Sequence, residues 1–136
     1  MLKNEKERKS KMFDLTIQDK VYQFNFGMGF MREINKKHKQ PVDGWKNEEK
    51  NMGLVYSISS LFDNDIEELV EVLYAANIGQ KPRVTKELLD SYIDDVNTDI
   101  DELFVKVLDD LKHANATKKV ALALQAEVDK ALAAQA

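Results

Sequence analysis

Residues 12–39 read MFDLTIQDKVYQFNFGMGFMREINKKHK, and this stretch decides the fold. Phe13, Leu15 and Ile17 alternate with Asp14 and Thr16, and Tyr22, Phe24 and Phe26 alternate with Gln23 and Asn25. That is the period-2 spacing of two half-buried strands. A two-residue loop at Asp19-Lys20 joins them as a hairpin in which Ile17 faces Tyr22, Leu15 faces Phe24 and Phe13 faces Phe26. Aromatic–aliphatic cross-strand pairs contribute roughly 0.2–1 kcal/mol each. A slip of one residue would turn the apolar row toward water, so the register is well specified. The loop lacks Asn-Gly or Asp-Gly, which leaves its turn type open. Gly27 and Gly29 end the second strand, after which Phe30, Met31, Ile34 and His38 share one helical face. A lone hairpin is marginal in water, so downstream helices have to cover its apolar face.

Those helices are legible in order. Gln40 to Gly44 reads as a loop, and Trp45 is expected to fold back as a lid. Glu48 to Phe62 reads as a helix with Leu54, Val55, Ile58, Leu61 and Phe62 on one stripe. Asp63, Asn64 and Asp65 cap the next helix, with capping-box spacing from Asn64 to Glu67 or Asp65 to Glu68. Its buried face is expected to be Ile66, Leu69, Val70, Leu73 and Tyr74, with Gly79 as a left-handed stop. Thr85 caps a short helix through Asp94 that buries Leu88, Leu89, Tyr92 and Ile93. Thr98 caps another, in which Ile100, Leu103, Phe104, Val107, Leu108 and Leu111 fit the helical template. From Asn115 the composition shifts to Ala, Leu and Gln, and Val120, Leu124, Val128, Ala131 and Leu132 offer a thin apolar face. The fold class is therefore mainly α with a small N-terminal antiparallel β-hairpin (α+β). The division is a basic extension at 1–11, one domain at 12–114, and an Ala-rich tail at 115–136 that is weakly ordered or helical.

Bulk properties agree with one soluble domain. The chain has 136 residues, 43% hydrophobic and 32% charged, a globular composition. No apolar run approaches the ~20 residues of a membrane span, and the charged N-terminus has no apolar core of a secretory signal. Without cysteine there is no disulfide or thiolate chemistry. The net charge of −4 hides an asymmetry: residues 1–62 carry 12 basic and 8 acidic side chains, whereas residues 63–113 carry 5 and 14. An acidic half repels nucleic-acid backbones.

No catalytic constellation survives inspection. His38 and His113 each end a helix, where the dipole explains them. Gly27-Met28-Gly29 lacks the third glycine, the lysine and the hydroxyl of phosphate loops. Asp95-x-Asn97-x-Asp99 opens like a calcium loop but has Ile100 for the turn glycine and Lys106 for the bidentate glutamate, so it reads as a capping cluster. No cofactor and no metal are expected. More telling are apolar residues outside the stripes: Met28, Met52, Tyr56, Val72, Val105 and Leu122. Clustered, they would make a compliant protein-binding surface; scattered, they are an ordinary surface.

MFDLTIQDKVYQFNFGMGFMREINKK, GLVYSISSLFDNDIEELVEVLYAANIGQKPRVTKELLDSYIDD and DELFVKVLDDLKHANATKK resemble the tail assembly chaperones of long-tailed phages of Gram-positive bacteria. The similarity runs from about Met12 to Lys119, and none of it is a catalytic signature. It implies a non-enzymatic factor of the host cytoplasm that coats the tape measure protein and keeps it soluble until tail tube protein polymerises. Self-association, and contact with the major tail protein through a frameshifted longer form, are further implications. Lys118-Lys119 after Thr117 permits a slippery A-AAA-AAG codon run near the end of the gene, which Lys36-Lys37 after Asn35 does not. The alternative is a small regulatory or nucleic-acid-associated phage protein acting through its basic half.

Overall fold

The computed structural model describes residues 13–38 and 52–135. The readings of Met1 to Lys11 as an extension and of Trp45 as a lid lie outside the described residues. Strand β1 (Phe13–Ile17) pairs antiparallel with β2 (Lys20–Phe24). Six helices follow among the described residues: α1 (Met28–Lys37), α2 (Met52–Phe62), α3 (Ile66–Ala76), α4 (Lys86–Asp94), α5 (Ile100–His113) and α6 (Lys118–Gln135). The protein is thus mainly α with an N-terminal hairpin.

The hairpin register differs from the sequence reading by two residues. Phe13 faces Phe24, Leu15 faces Tyr22 and Ile17 faces Lys20. Gln18 and Asp19 form the turn, both with positive φ, 51° and 67°, the left-handed backbone that a tight two-residue hairpin loop demands. A shift of two keeps every side chain on its face, so Leu15, Ile17, Tyr22, Phe24 and Phe26 are all buried. Phe13 meets Phe24 and Phe26 edge-on at ring separations of 5.8 and 6.1 Å, and Phe26 meets Phe30 at 5.1 Å, favourable geometry for aromatic rings.

Around this sheet, α3 is the central helix, packed by α1, α2 and α4. Its cap is Asp65, whose carboxylate accepts from the Glu68 N–H at 3.1 Å. Because neighbours flank it on several sides, α3 buries more than one stripe. Glu68, Leu69, Val70, Val72, Leu73, Ala75 and Ala76 are all buried. Ile66, expected in the core, is instead 44% exposed. Gly79 follows with φ 85°, a conformation that suits glycine. Asn77, fully buried, ties the hairpin to this helix end. Its amide donates to the Gln23 carbonyl at 2.9 Å, and its Oδ1 accepts from the Val84 N–H at 2.6 Å and from Arg83 at 2.8 Å.

Thr85 caps α4, accepting from the Leu88 N–H. The cap of α5 is Asp99 rather than Thr98, and it accepts from the Glu102 N–H at 3.0 Å. The Thr98 hydroxyl is engaged elsewhere, donating to the Tyr92 carbonyl at 2.6 Å. Helix α5 buries Leu103, Phe104, Val107 and Leu111. The Thr117 hydroxyl donates to the Leu111 carbonyl at 2.6 Å and so fixes the turn into α6, which lies against α2 and α5. Only Ala121 of α6 is buried.

Candidate binding surface

Helix α2 crosses the end of α1 so closely that only glycine fits at the contact. A Cβ on Gly53 would lie 2.5 Å from the Ile34 carbonyl oxygen and 2.6 Å from the Asn35 Cα. Asn35 then caps α2 from outside, its Oδ1 accepting from the Leu54 N–H at 2.9 Å. This crossing sends Leu54, Ser57, Ile58 and Leu61 inward. Met52 and Tyr56, one turn apart, point outward at 45% and 54% exposure.

Beneath Tyr56 is a polar cluster drawn from three helices. Glu68 of α3 is 6% exposed. Its Oε2 accepts from the Ser57 hydroxyl at 2.6 Å and lies 3.0 Å from His38 Nε2. The His38 ring in turn packs on Tyr56 at 4.7 Å between centroids. A carboxylate this buried needs such partners. Ser57 and His38 bond to the same carboxylate oxygen rather than to each other, so they do not form the hydroxyl–imidazole pair of a serine triad. The arrangement is a brace: it fixes the α1–α2–α3 junction and holds the aromatic ring of Tyr56 at the surface.

The other residues singled out from the sequence fall as follows. Met28 is exposed at the start of α1, the end away from His38. Val105 and Leu122 are exposed on α5 and α6. Val72 is corrected: it is 0% exposed, because α3 is packed on more than one side, and it belongs to the core. Met52 and Tyr56 are therefore the pair that the structure places on one surface, with His38 beside them. Thr117 is buried, while Lys118 and Lys119 are exposed at the start of α6. His113 ends α5 as read, 2.7 Å from the Asp109 carbonyl.

The carboxylates of Asp95 and Asp99 serve the backbone. Asp95 accepts from the Asn97 N–H at 2.9 Å and Asp99 caps α5. Among the described residues no group of three or more His, Asp or Glu side chains is disposed to hold a metal. No helix among them is long and apolar enough to cross a membrane. Sequence reasoning missed the His38–Ser57–Glu68 cluster, since nothing local marks it. Glu68 does not stand out, being one of three glutamates on α3 with Glu67 and Glu71.

Residues 14–125 match the family described as phage tail assembly chaperone protein, TAC. No curated protein and no solved structure matches this chain. The match covers the hairpin and all six helices up to the middle of α6, and the chain belongs to the phage tail assembly chaperone family.

Proposed function

We propose that this member of the family serves a long-tailed phage of a Gram-positive host, in whose cytoplasm it binds the tape measure protein and keeps it soluble until the tail tube forms around it. The family match over residues 14–125 carries this reading. The surface physics supports it. A chaperone that holds an apolar client needs compliant apolar side chains at the surface and enough charge around them to stay dissolved. Met52 and Tyr56 supply the first, with Tyr56 braced from below by His38. Met28, Val105 and Leu122 extend the apolar exposure onto other elements.

The test is co-expression with the tape measure protein. Met52→Asp with Tyr56→Asp leaves the fold intact, because both side chains are exposed and only the His38–Tyr56 ring contact is lost, yet lowers the yield of soluble partner severalfold. Soluble yield equal to that of the unaltered chain would place the binding surface elsewhere.

The longer form is part of the same proposal. Slippage at the Thr117-Lys118-Lys119 codons would retain everything up to Lys119 and replace Val120 onward, including buried Ala121. Any new segment then has to cover the same seam on α2 and α5. Two N-terminally tagged bands from the native gene with its downstream region are expected. A single band would remove the longer form without touching the chaperone reading.

A further inference from the structure

Helices α3 and α4 pass each other in opposite directions, so that Glu71 meets Lys86 while Ile66 and Glu67 lie beside Ile93 and Asp94. Between them runs an open groove with Ile66, Val70 and Ile93 along its floor. Ile66, which its helical spacing would send to the core, remains 44% exposed at the mouth.

The two ends of the groove carry opposite charge. At one end Lys37 and Lys86 both pair with the single carboxylate of Glu71. Burial first, and then the neighbouring Lys86 ammonium, hold Lys37 below the ordinary lysine range. Beside them Arg83 lies over the Tyr74 ring at 4.1 Å. One of its nitrogens donates to two neutral acceptors, the Tyr74 carbonyl and Asn77 Oδ1. Among the described residues no carboxylate pairs with Arg83. Its guanidinium is thus oriented in advance and its charge uncompensated, the state in which arginine takes a carboxylate best. Toward the other end Glu67 and Asp94, with Asp90 midway along α4, are exposed and have no cationic partner among the described residues.

We propose that the α3–α4 groove docks an amphipathic helix of a partner protein. The partner places carboxylates toward Arg83 and Lys86, apolar side chains on Ile66, Val70 and Ile93, and basic side chains toward Glu67, Asp90 and Asp94. Helix-in-groove recognition works this way, with apolar anchors giving affinity and charge order fixing orientation. From Lys86 to Asp94 the groove is about 12 Å long, matching roughly two turns of the incoming helix. A nucleic-acid backbone, uniformly anionic, would be repelled at the acidic end. The groove floor shares no residue with the Met52 and Tyr56 pair, and docking there does not depend on which tail protein that pair holds.

Two fluorescent synthetic peptides of identical composition test this, each with a leucine stripe. One gathers its glutamates at one end and its lysines at the other; its control interleaves them. By anisotropy with the full chain, the segregated peptide should bind roughly tenfold more tightly at low salt, with the difference shrinking as salt rises. Asp90→Lys with Asp94→Lys should abolish the preference, and so should Lys86→Glu, while Ile66→Asp weakens both peptides. Circular dichroism checks that each variant is folded; should the lysines unfold the chain, Asp90→Asn with Asp94→Asn takes their place and should lessen the preference. Equal affinity for the two peptides overturns the proposal, as does a preference that survives in a folded Asp90/Asp94 variant. Tighter binding of a single-stranded oligonucleotide than of the segregated peptide also overturns it.

Discussion

Asn77 and the far end of α6 are held in opposite ways. Asn77 joins β2, the end of α3 and the segment leading to α4 through hydrogen bonds to partners up to 54 residues away. From Ala126 to Gln135, every residue but half-buried Val128 is exposed. There the helix is sustained by its own backbone and by local contacts such as Gln125 to Asp129 at 3.1 Å. Alanine and leucine are strong helix formers, so that end persists on propensity. The hairpin has no such resource, since two strands alone are marginal and depend on distant partners. Regions made by local preference tolerate change, and regions made by long-range contact do not.

The sharpest way to break this contrast is Phe24→Ala. Phe24 is 1% exposed at the centre of the aromatic cluster, and truncation there should cost about 3–5 kcal/mol. That is much of a domain's total stability, so loss of cooperative melting is expected; an unaltered melting curve would mean that the hairpin is not the core. Asn77→Ala comes next, stranding the buried Val84 N–H and releasing Gln23, with a loss of about 1–3 kcal/mol by denaturant titration.

A smaller effect, of opposite sign, is expected at Asp110 on α5, the helix that α6 covers. Burial, and then the adjacent Asp109, raise its carboxyl above the ordinary aspartate range. The folded state therefore holds the proton more readily than the unfolded state, and ionisation costs stability as pH rises through that range. Asp110→Asn should raise the melting temperature slightly at neutral pH, with the gain vanishing in acid where both states are protonated. A gain independent of pH would assign it to packing instead. The smallest effect belongs to Leu132→Ala near the end of α6. With Leu132 61% exposed, the change should stay within about ±0.5 kcal/mol. A loss near that of Asn77→Ala would erase the distinction between the two regions.

How far the sequence could be read follows the same division. Period-2 alternation located the hairpin face, and helical stripes located α4 and α5, although of the four residues expected inside on α4 only Leu89 is fully buried, with Leu88, Tyr92 and Ile93 half-buried. The hairpin register slipped because Gln18 and Asp19 adopt left-handed backbone without the usual turn residues. Val72 was misplaced because a single-stripe template assumes one buried face, whereas α3 is packed by α1, α2 and α4; Ile66 errs the other way, since at the first position of α3 it stays 44% exposed. Met52 and Tyr56 were found because they stand off the α2 stripe and α2 keeps a side to solvent. The brace under Tyr56 escaped notice because His38, Ser57 and Glu68 meet only after three helices have packed.

The docking of α6 on α2 and α5 has a consequence for the order in which the chain is made. Synthesis runs from the N-terminus at ~5–20 residues per second, so the 18 residues of α6 take roughly one to four seconds to add. Helices form in microseconds, far faster than that. Helices α1 to α5 can therefore be helical while the seam that receives Ala121 is still bare. A nascent chain held at that stage would show apolar surface that the finished protein conceals. Whatever sequence leaves the ribosome next, α6 or a replacement, is the one that closes it.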